Sequence, residues 1–313
     1  MTVPTPASVP ATFRTPRLAA GHLAAAASAA FLLSFSQAPA HAHGDHGSPE
    51  PLRIAQSRAS TVDADGVAVD KPSRALSLAS AEEVEQMAAA QYAGLRRQAA
   101  AQRALAPSDH PQMRRLQRIA DRIIPFAPRF NDRAPKWRWE ISLFGSKQIN
   151  AFCMPGGKIA FYTGLIDRLQ LTDDEIAVVM GHEIAHALLE HGRERVGKGR
   201  IAQGVAMGAS LLSNLLGYGN LGGAVADTGA QFLLLKYGRD DEKEADGVGL
   251  DLSARAGYDP RAALTLWRKM AQAAGGAGGP EWLSTHPSHD TRTREIEALL
   301  PKVMPLYERA RRG

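Results

Sequence analysis

Two histidines stand four residues apart in Gly181-His182-Glu183-Ile184-Ala185-His186, and this spacing constrains the chain more than any other feature. On an α-helix, residues four apart lie on one face. His182 and His186 can then aim two imidazoles at one point, as a tetrahedral Zn2+ site requires. Glu183 sits one residue round from His182, so it cannot share that metal but can reach a water beside it. A carboxylate from a second helix would complete three protein ligands and leave the fourth position open, the arrangement of a zinc hydrolase. The string also arises by chance, so its flanks matter. Thr172 and Glu175 have the spacing of a capping box that starts a helix. Ile176, Val179, Met180, Ile184, Ala187 and Leu188 follow at helical intervals. The histidines therefore fall mid-helix among apolar residues, where an unpartnered imidazole would be costly.

The acidic run Asp240 to Asp246 supplies the candidate third ligand, although such runs are usually solvated helix faces. Glu242, Asp246, Gly249 and Ser253 recur at intervals of four, three and four, so they share a face flanked by Ala245 and Leu252. Glu242 is the predicted ligand, and Asp246, one turn on, is placed to accept the ring N–H of a liganding histidine. The same phase puts Glu244 on the side of Lys243 and Asp251, expected to be wet. A metzincin would carry a glycine three residues after the second histidine and a further histidine three beyond that. Leu189 and Gly192 occupy those places. A glutamate on a later helix is instead the gluzincin solution.

The strings GHEIAHALLEH, YGRDDEKEADGVGLD, NAFCMPGGKIAFYTGLI and STHPSHDTR resemble the HtpX and CAAX-prenyl-protease family of zinc metallopeptidases, metallopeptidase family forty-eight. The likeness runs from about Gln112 to Ile296. It is strongest to soluble periplasmic members of the BepA and LoiP type, here without evident TPR repeats. The resemblance implies one Zn2+ per chain, Glu242 as third ligand and Asp246 as the residue that orients the site. It further implies that Gly157, Lys158, Ile159, Ala160 and Phe161 form a strand edge holding substrate in extended form, against the plainer reading of a structural hairpin. His286 and Arg292 match a histidine and an arginine near the cleft. In relatives that histidine either assists catalysis or fills the open position on the metal; for both residues the plain alternative is an ordinary surface side chain.

The rest of the pattern predicts a mainly helical α+β fold, a gluzincin-type catalytic domain with a small antiparallel sheet beside the histidine helix. Ser80 and Glu83 mark the start of a helix running to Ala104, with Val84, Met87, Ala88, Tyr92 and Leu95 as an apolar stripe for the catalytic domain or a partner. Gln112 to Ile124 reads as a further helix, stopped by Pro125. Trp137 to Phe144 alternates as a strand. Ile149 to Met154 and Lys158 to Tyr162 form a hairpin about Pro155-Gly156-Gly157. Ile201 to Ala226 lacks charged side chains, yet a single membrane crossing there would part Glu242 from both histidines. The stretch is expected to be a helix followed by a glycine-rich loop covering the cleft or touching membrane.

Arg14 and Arg17 precede an uncharged, alanine-rich stretch from Leu18 to Phe35, followed by small residues around Ala38 to Ala42. The expectation is a cleaved export signal and a periplasmic protein, with an uncleaved membrane anchor as the alternative. Four segments follow: a signal over 1–42, a disordered tail over 43–79, a helical arm over 80–110 and a zinc metallopeptidase domain over 111–313. His41, His43 and His46 are more simply part of an accessible tail than a metal site. Cys153, the lone cysteine, can form no internal disulfide. Without the leader, 35 basic side chains face 32 acidic ones, too mild an excess for nucleic acid and enough only for peripheral membrane contact.

The expected activity is zinc-dependent endopeptidase hydrolysis of extended or unfolded polypeptides, in quality control of exported or misfolded envelope proteins. Glu183 is the general base, with His286 or Arg292 as auxiliary donor. The competing expectation is a periplasmic chaperone or assembly factor whose zinc site is structural or silenced. Oligomeric state is not legible in the sequence.

Overall fold

The computed structural model describes residues 65–69, 73–203, 236–275, 280–287 and 291–312. All belong to one of two compact units, residues 58–313. The expected export signal, the expected tail to residue 64 with its histidines, residues 204–226 of the uncharged stretch, and His289 lie outside the described residues.

The histidine helix α4 (Asp173–Leu188) is the centre of the fold. Its start is the expected capping box: the Thr172 hydroxyl accepts the Glu175 N–H at 3.2 Å, and the Glu175 carboxylate accepts the Thr172 N–H at 2.8 Å. Every residue from Glu175 to Leu188 is buried, as expected of a helix enclosed on all sides. Its closest partner is α6 (Arg239–Arg255), and glycines permit the approach. A Cβ on Gly181 would lie 2.5 Å from the Gly249 carbonyl oxygen, and one on Gly249 would lie 2.6 Å from the His182 nitrogen. The Ser253 hydroxyl closes the contact by donating to the Ala177 carbonyl. The small-residue stripe read from the sequence is thus the face that lets the two helices touch.

A three-stranded sheet flanks α4, in the order β1 (Glu140–Phe144), β3 (Lys158–Tyr162), β2 (Ala151–Met154). The hairpin β2–β3 is antiparallel as expected, but β1 joins β3 in parallel, so the sheet is mixed. The turn places Gly156 and Gly157 at φ of +80° and +76°, and a Cβ on Gly157 would collide with the Trp139 ring. Trp137 and Trp139 precede the strand; their indoles donate to Glu85 and to the Ala134 carbonyl.

Helix α1 (Ala81–Ala101) packs Val84, Ala88 and Tyr92 against the sheet. The Tyr92 hydroxyl lies 2.6 Å from the Ile159 carbonyl, to which it donates. Arg133 grips Glu85 with two bonds of 2.9 Å. The apolar stripe is therefore covered by the catalytic unit. α2 (Pro111–Ile123) ends in a 3-10 turn that carries Pro125 and Pro128. α3 (Thr163–Leu169), α5 (His191–Gln203), α7 (Ala262–Ala274), α8 (Trp282–Thr285) and α9 (Arg292–Arg312) complete the shell. Parts of the expected tail also have a fixed place. The Val67 N–H donates to Asp251, and Arg193 donates to the carbonyls of Leu76 and Ala79. Asp251, expected on a wet face, is buried and paired with Arg255. Among the described residues no helix is long and apolar enough to cross a membrane.

Candidate metal and active site

His182 and His186 project from α4 so that their Nε2 atoms lie 3.1 Å apart. Glu242, on the first turns of α6, meets them with oxygens 3.4 Å from His186 Nε2 and 3.6 Å from His182 Nε2. His286, at the end of α8, adds Nδ1 2.9 Å from Glu242 and 3.2 Å from His182 Nε2. Among the described residues these four form the group able to hold a metal, with all ligand atoms within 4.8 Å. Two imidazole lone pairs facing each other beside a carboxylate repel unless a cation lies between them. Zinc–nitrogen bonds of ~2.0–2.1 Å at a tetrahedral angle put two nitrogens about 3.3 Å apart. The donor set fits Zn2+ in kind and spacing.

Electrostatics keep two of these donors, His186 and Glu242, in ligand form. Burial holds His186 well below the ordinary imidazole range, hence neutral with a free lone pair. Burial alone would raise the Glu242 carboxyl. The charge of His286 leads the opposing effects, which outweigh burial and hold the carboxyl far below its usual range. His286 shows the converse: burial would lower it, and the charges of Glu183 and Glu242 raise it.

Asp246 lies one turn beyond Glu242, and its Oδ1 accepts from His182 Nδ1 at 3.0 Å. That bond fixes the proton on Nδ1 and leaves Nε2 free for the metal. Arg292 grips both Asp246 oxygens at 2.7 and 2.8 Å, donates to Glu242, and lies with its guanidinium 4.0 Å from the Trp267 ring centroid. Burial would raise Asp246, but the Arg292 charge leads the opposing effects that hold it low. Arg292 is thus fully committed behind the ligands and does not line the cleft. The expectation that it donates to a substrate oxyanion is corrected, because its nitrogens are already spent on buried carboxylates.

Glu183 lines the cleft together with Asn150–Pro155, Tyr237, Thr285 and His286. Its Oε1 accepts from the Trp282 indole at 2.5 Å and lies 3.5 Å from His286 Nε2. Trp282 stacks on His286, and Tyr237 stacks on His186 with centroids 3.8 Å apart. Neither aromatic is legible as a site residue in the sequence. Tyr237 precedes the Gly238 N-cap of α6 and Trp282 lies in a separate short helix, so neither carries a helical spacing signal.

The expected substrate edge, Gly157 to Phe161, is also corrected. β3 is the central strand, bonded on both sides, and the Gly157 carbonyl accepts the Glu140 N–H at 3.0 Å. Among the described residues, the edge of the sheet toward the cleft is β2, with no strand beyond it. Tyr162 donates to Asn150 across the hairpin, and bonded pairs alternate along an antiparallel ladder. Phe152 therefore pairs with β3, while Ala151 and Cys153 turn their backbone groups outward. Glu244 is not a solvent-side residue either: it is half-buried and contacts His191 Nε2 at 3.1 Å.

Comparison with known proteins places this geometry. The mitochondrial metalloendopeptidase OMA1 of Arabidopsis thaliana is 35% identical over 177 residues, 56% of this chain and 35% of that protein. Its Schizosaccharomyces pombe counterpart is 34% identical over 198 residues, 63% and 56% of the two chains. A Yersinia pestis protein named beta-barrel assembly-enhancing protease is 32% identical over 171 residues, 52% and 35%. The chain spans between about a third and just under two thirds of the length of the curated relatives it matches. Mitochondrial relatives from plant, yeasts and animals overturn the expectation of a periplasmic protein. An arginine-bearing N-terminal stretch free of acidic residues is a pattern shared by export signals and organelle-targeting segments, so it does not specify a compartment. The model of peptidase family M48 matches residues 110–300, a span that contains the whole donor cluster, Glu183, Asp246 and Arg292, and the chain belongs to that family.

Proposed function

We propose that the chain is a zinc endopeptidase that cleaves extended segments of unfolded or misfolded polypeptides. The observation that carries this reading is the position of Glu183, on the cleft side of the His182, His186 and Glu242 donors and facing the free edge of β2. A substrate strand pairs with the outward N–H and C=O groups of Ala151 and Cys153, contacts indifferent to side chains. When bound, Zn2+ supplies a Lewis acid for the scissile carbonyl and makes water more acidic. The Glu183 carboxylate, oriented by the Trp282 indole, takes the proton from the attacking water and returns it to the leaving amine. Asp246 and Arg292 hold the ligands still. His286 stands beside both Glu183 and the donors, and as a donor of hydrogen bonds it can steady the developing oxyanion.

One observation favours a second state. His286 Nδ1 is as close to the cluster as the His182, His186 and Glu242 donors are to one another, so it can also complete a four-protein-ligand, resting site. The test is casein digestion by zinc-loaded protein. Glu183→Gln should keep about one zinc per chain and lose cleavage by roughly two to four orders of magnitude. Wild-type cleavage by Glu183→Gln overturns the mechanism. His286→Ala run alongside separates the two roles: faster cleavage means a resting ligand, slower cleavage a participant.

A further inference from the structure

His186 has a second nitrogen, and what it meets differs from what His182 meets. α4 ends at Leu188, and Glu190 at φ of +61° folds the chain back so that His191 opens α5 against the same imidazole. His186 Nδ1 lies 2.9 Å from His191 Nδ1. His191 Nε2 in turn lies 3.1 Å from Glu244 Oε2. His191 is 3% exposed, and Glu244 keeps 29% of its side chain open to solvent.

Only one arrangement of protons satisfies this chain when His186 offers Nε2 to a metal. His186 must carry its proton on Nδ1, because a neutral imidazole has one N–H and Nε2 must be bare. Two Nδ1 atoms in contact share a single proton, so His191 Nδ1 accepts. A neutral His191 then carries its own proton on Nε2, which points at the Glu244 carboxylate. Donor and acceptor match at each step, ending on a charge that reaches water.

We infer that His191 and Glu244 are positioning residues for the metal site, a two-residue relay that does for His186 what Asp246 does for His182. This rests on the reading of His186 as a zinc ligand. The relay fixes the tautomer and the ring plane of His186 and makes Nε2 a better donor to the metal. It also explains why the run Glu242-Lys243-Glu244 carries two functional glutamates two positions apart. Glu242 addresses the Nε2 side of His186, and Glu244 reaches the Nδ1 side through His191. Tyr237, stacked on the His186 ring, holds the same plane from its face.

The test measures zinc affinity of the full chain by chelator competition, alongside thermal unfolding of the metal-free protein. His191→Phe keeps the ring volume and removes the acceptor; it should weaken zinc binding by roughly 10–100-fold with no matching fall in the metal-free midpoint. His191→Asn places an amide oxygen near the lost Nδ1 and should return affinity to within a few-fold of wild type. Glu244→Ala, at a partly open position that tolerates truncation, should weaken zinc by up to about tenfold. Wild-type zinc affinity in both His191→Phe and Glu244→Ala overturns the relay. So does an unrescued His191→Asn whose metal-free midpoint falls as far as that of His191→Phe, which marks a packing role. His186→Ala is the separating control: if it binds zinc like wild type, the ligand reading fails, not merely the relay.

Discussion

The two walls of the cleft are built on opposite principles. The back wall, α4 against α6, is held by backbone contact: Gly181 and Gly249 let the helices meet, and Arg292 ties two buried carboxylates behind the ligands. The front wall, β2 beside the Trp282–His286 segment, turns the backbone groups of Ala151 and Cys153 outward with no partner among the described residues, and meets the back wall through side chains such as Trp282 on Glu183. A metal site needs ligands that do not move, whereas a substrate site needs hydrogen bonds that are not yet made. The prediction is that damage to the back wall appears first in stability, and damage to the front wall first in turnover.

Arg292→Ala should break the comparison most severely. It leaves Glu242 and Asp246 buried without their cation, and removing one partner of a buried ion pair costs about 3–5 kcal/mol. Chemical unfolding of the metal-free protein should register that loss, and a change within error would mean that Arg292 does not brace the wall. Gly249→Val comes next. Its Cβ would meet the His182 backbone at 2.6 Å, so the helices must part, at about 1–3 kcal/mol or more. Unfolding and zinc content should fall together.

The front wall is tested by a pair of prolines. Cys153→Pro removes an outward N–H while leaving the ladder intact; it should lower kcat/KM by up to about tenfold, the worth of one hydrogen bond, with a stability cost confined to repacking of the buried Cys153 side chain. Phe152→Pro removes an N–H that pairs with β3 and should destabilise the fold instead. Reversal of these two outcomes would show that the ladder phase is off by one residue. The smallest effect belongs to Glu175, at the outer end of α4. Burial raises its carboxyl, but bonds from Lys269, the Thr172 N–H and Thr265 outweigh it, so the group lies below its ordinary value of 4.5. A depressed carboxyl stabilises the fold above the unfolded pKa, and that contribution is lost as pH falls through the folded value. Wild type should therefore exceed Glu175→Gln by about 1 kcal/mol at pH 6, and the gap should narrow below pH ~4.5. A gap that does not depend on pH would remove Glu175 from the ledger of ionic contacts.

Read from the chain alone, local periodicity determined a great deal. The helix start at Thr172, the hairpin about Gly156-Gly157, the pairing of His182 with His186 and the small face of α6 all follow from contacts within a few residues, where spacing and geometry are nearly the same thing. Tertiary structure decided the remainder. β3 became central because a strand from earlier in the chain, β1, took its other side in parallel, and no hydrophobic pattern encodes which neighbour a strand will choose. Arg292 turned inward because two carboxylates 46 and 50 residues away needed a buried cation. Glu244 left the wet face because the turn at Glu190 delivered His191 to it. Each of these outcomes depends on where distant side chains come to rest, and electrostatic and hydrogen-bond partners separated by tens of residues leave no period in the sequence to read.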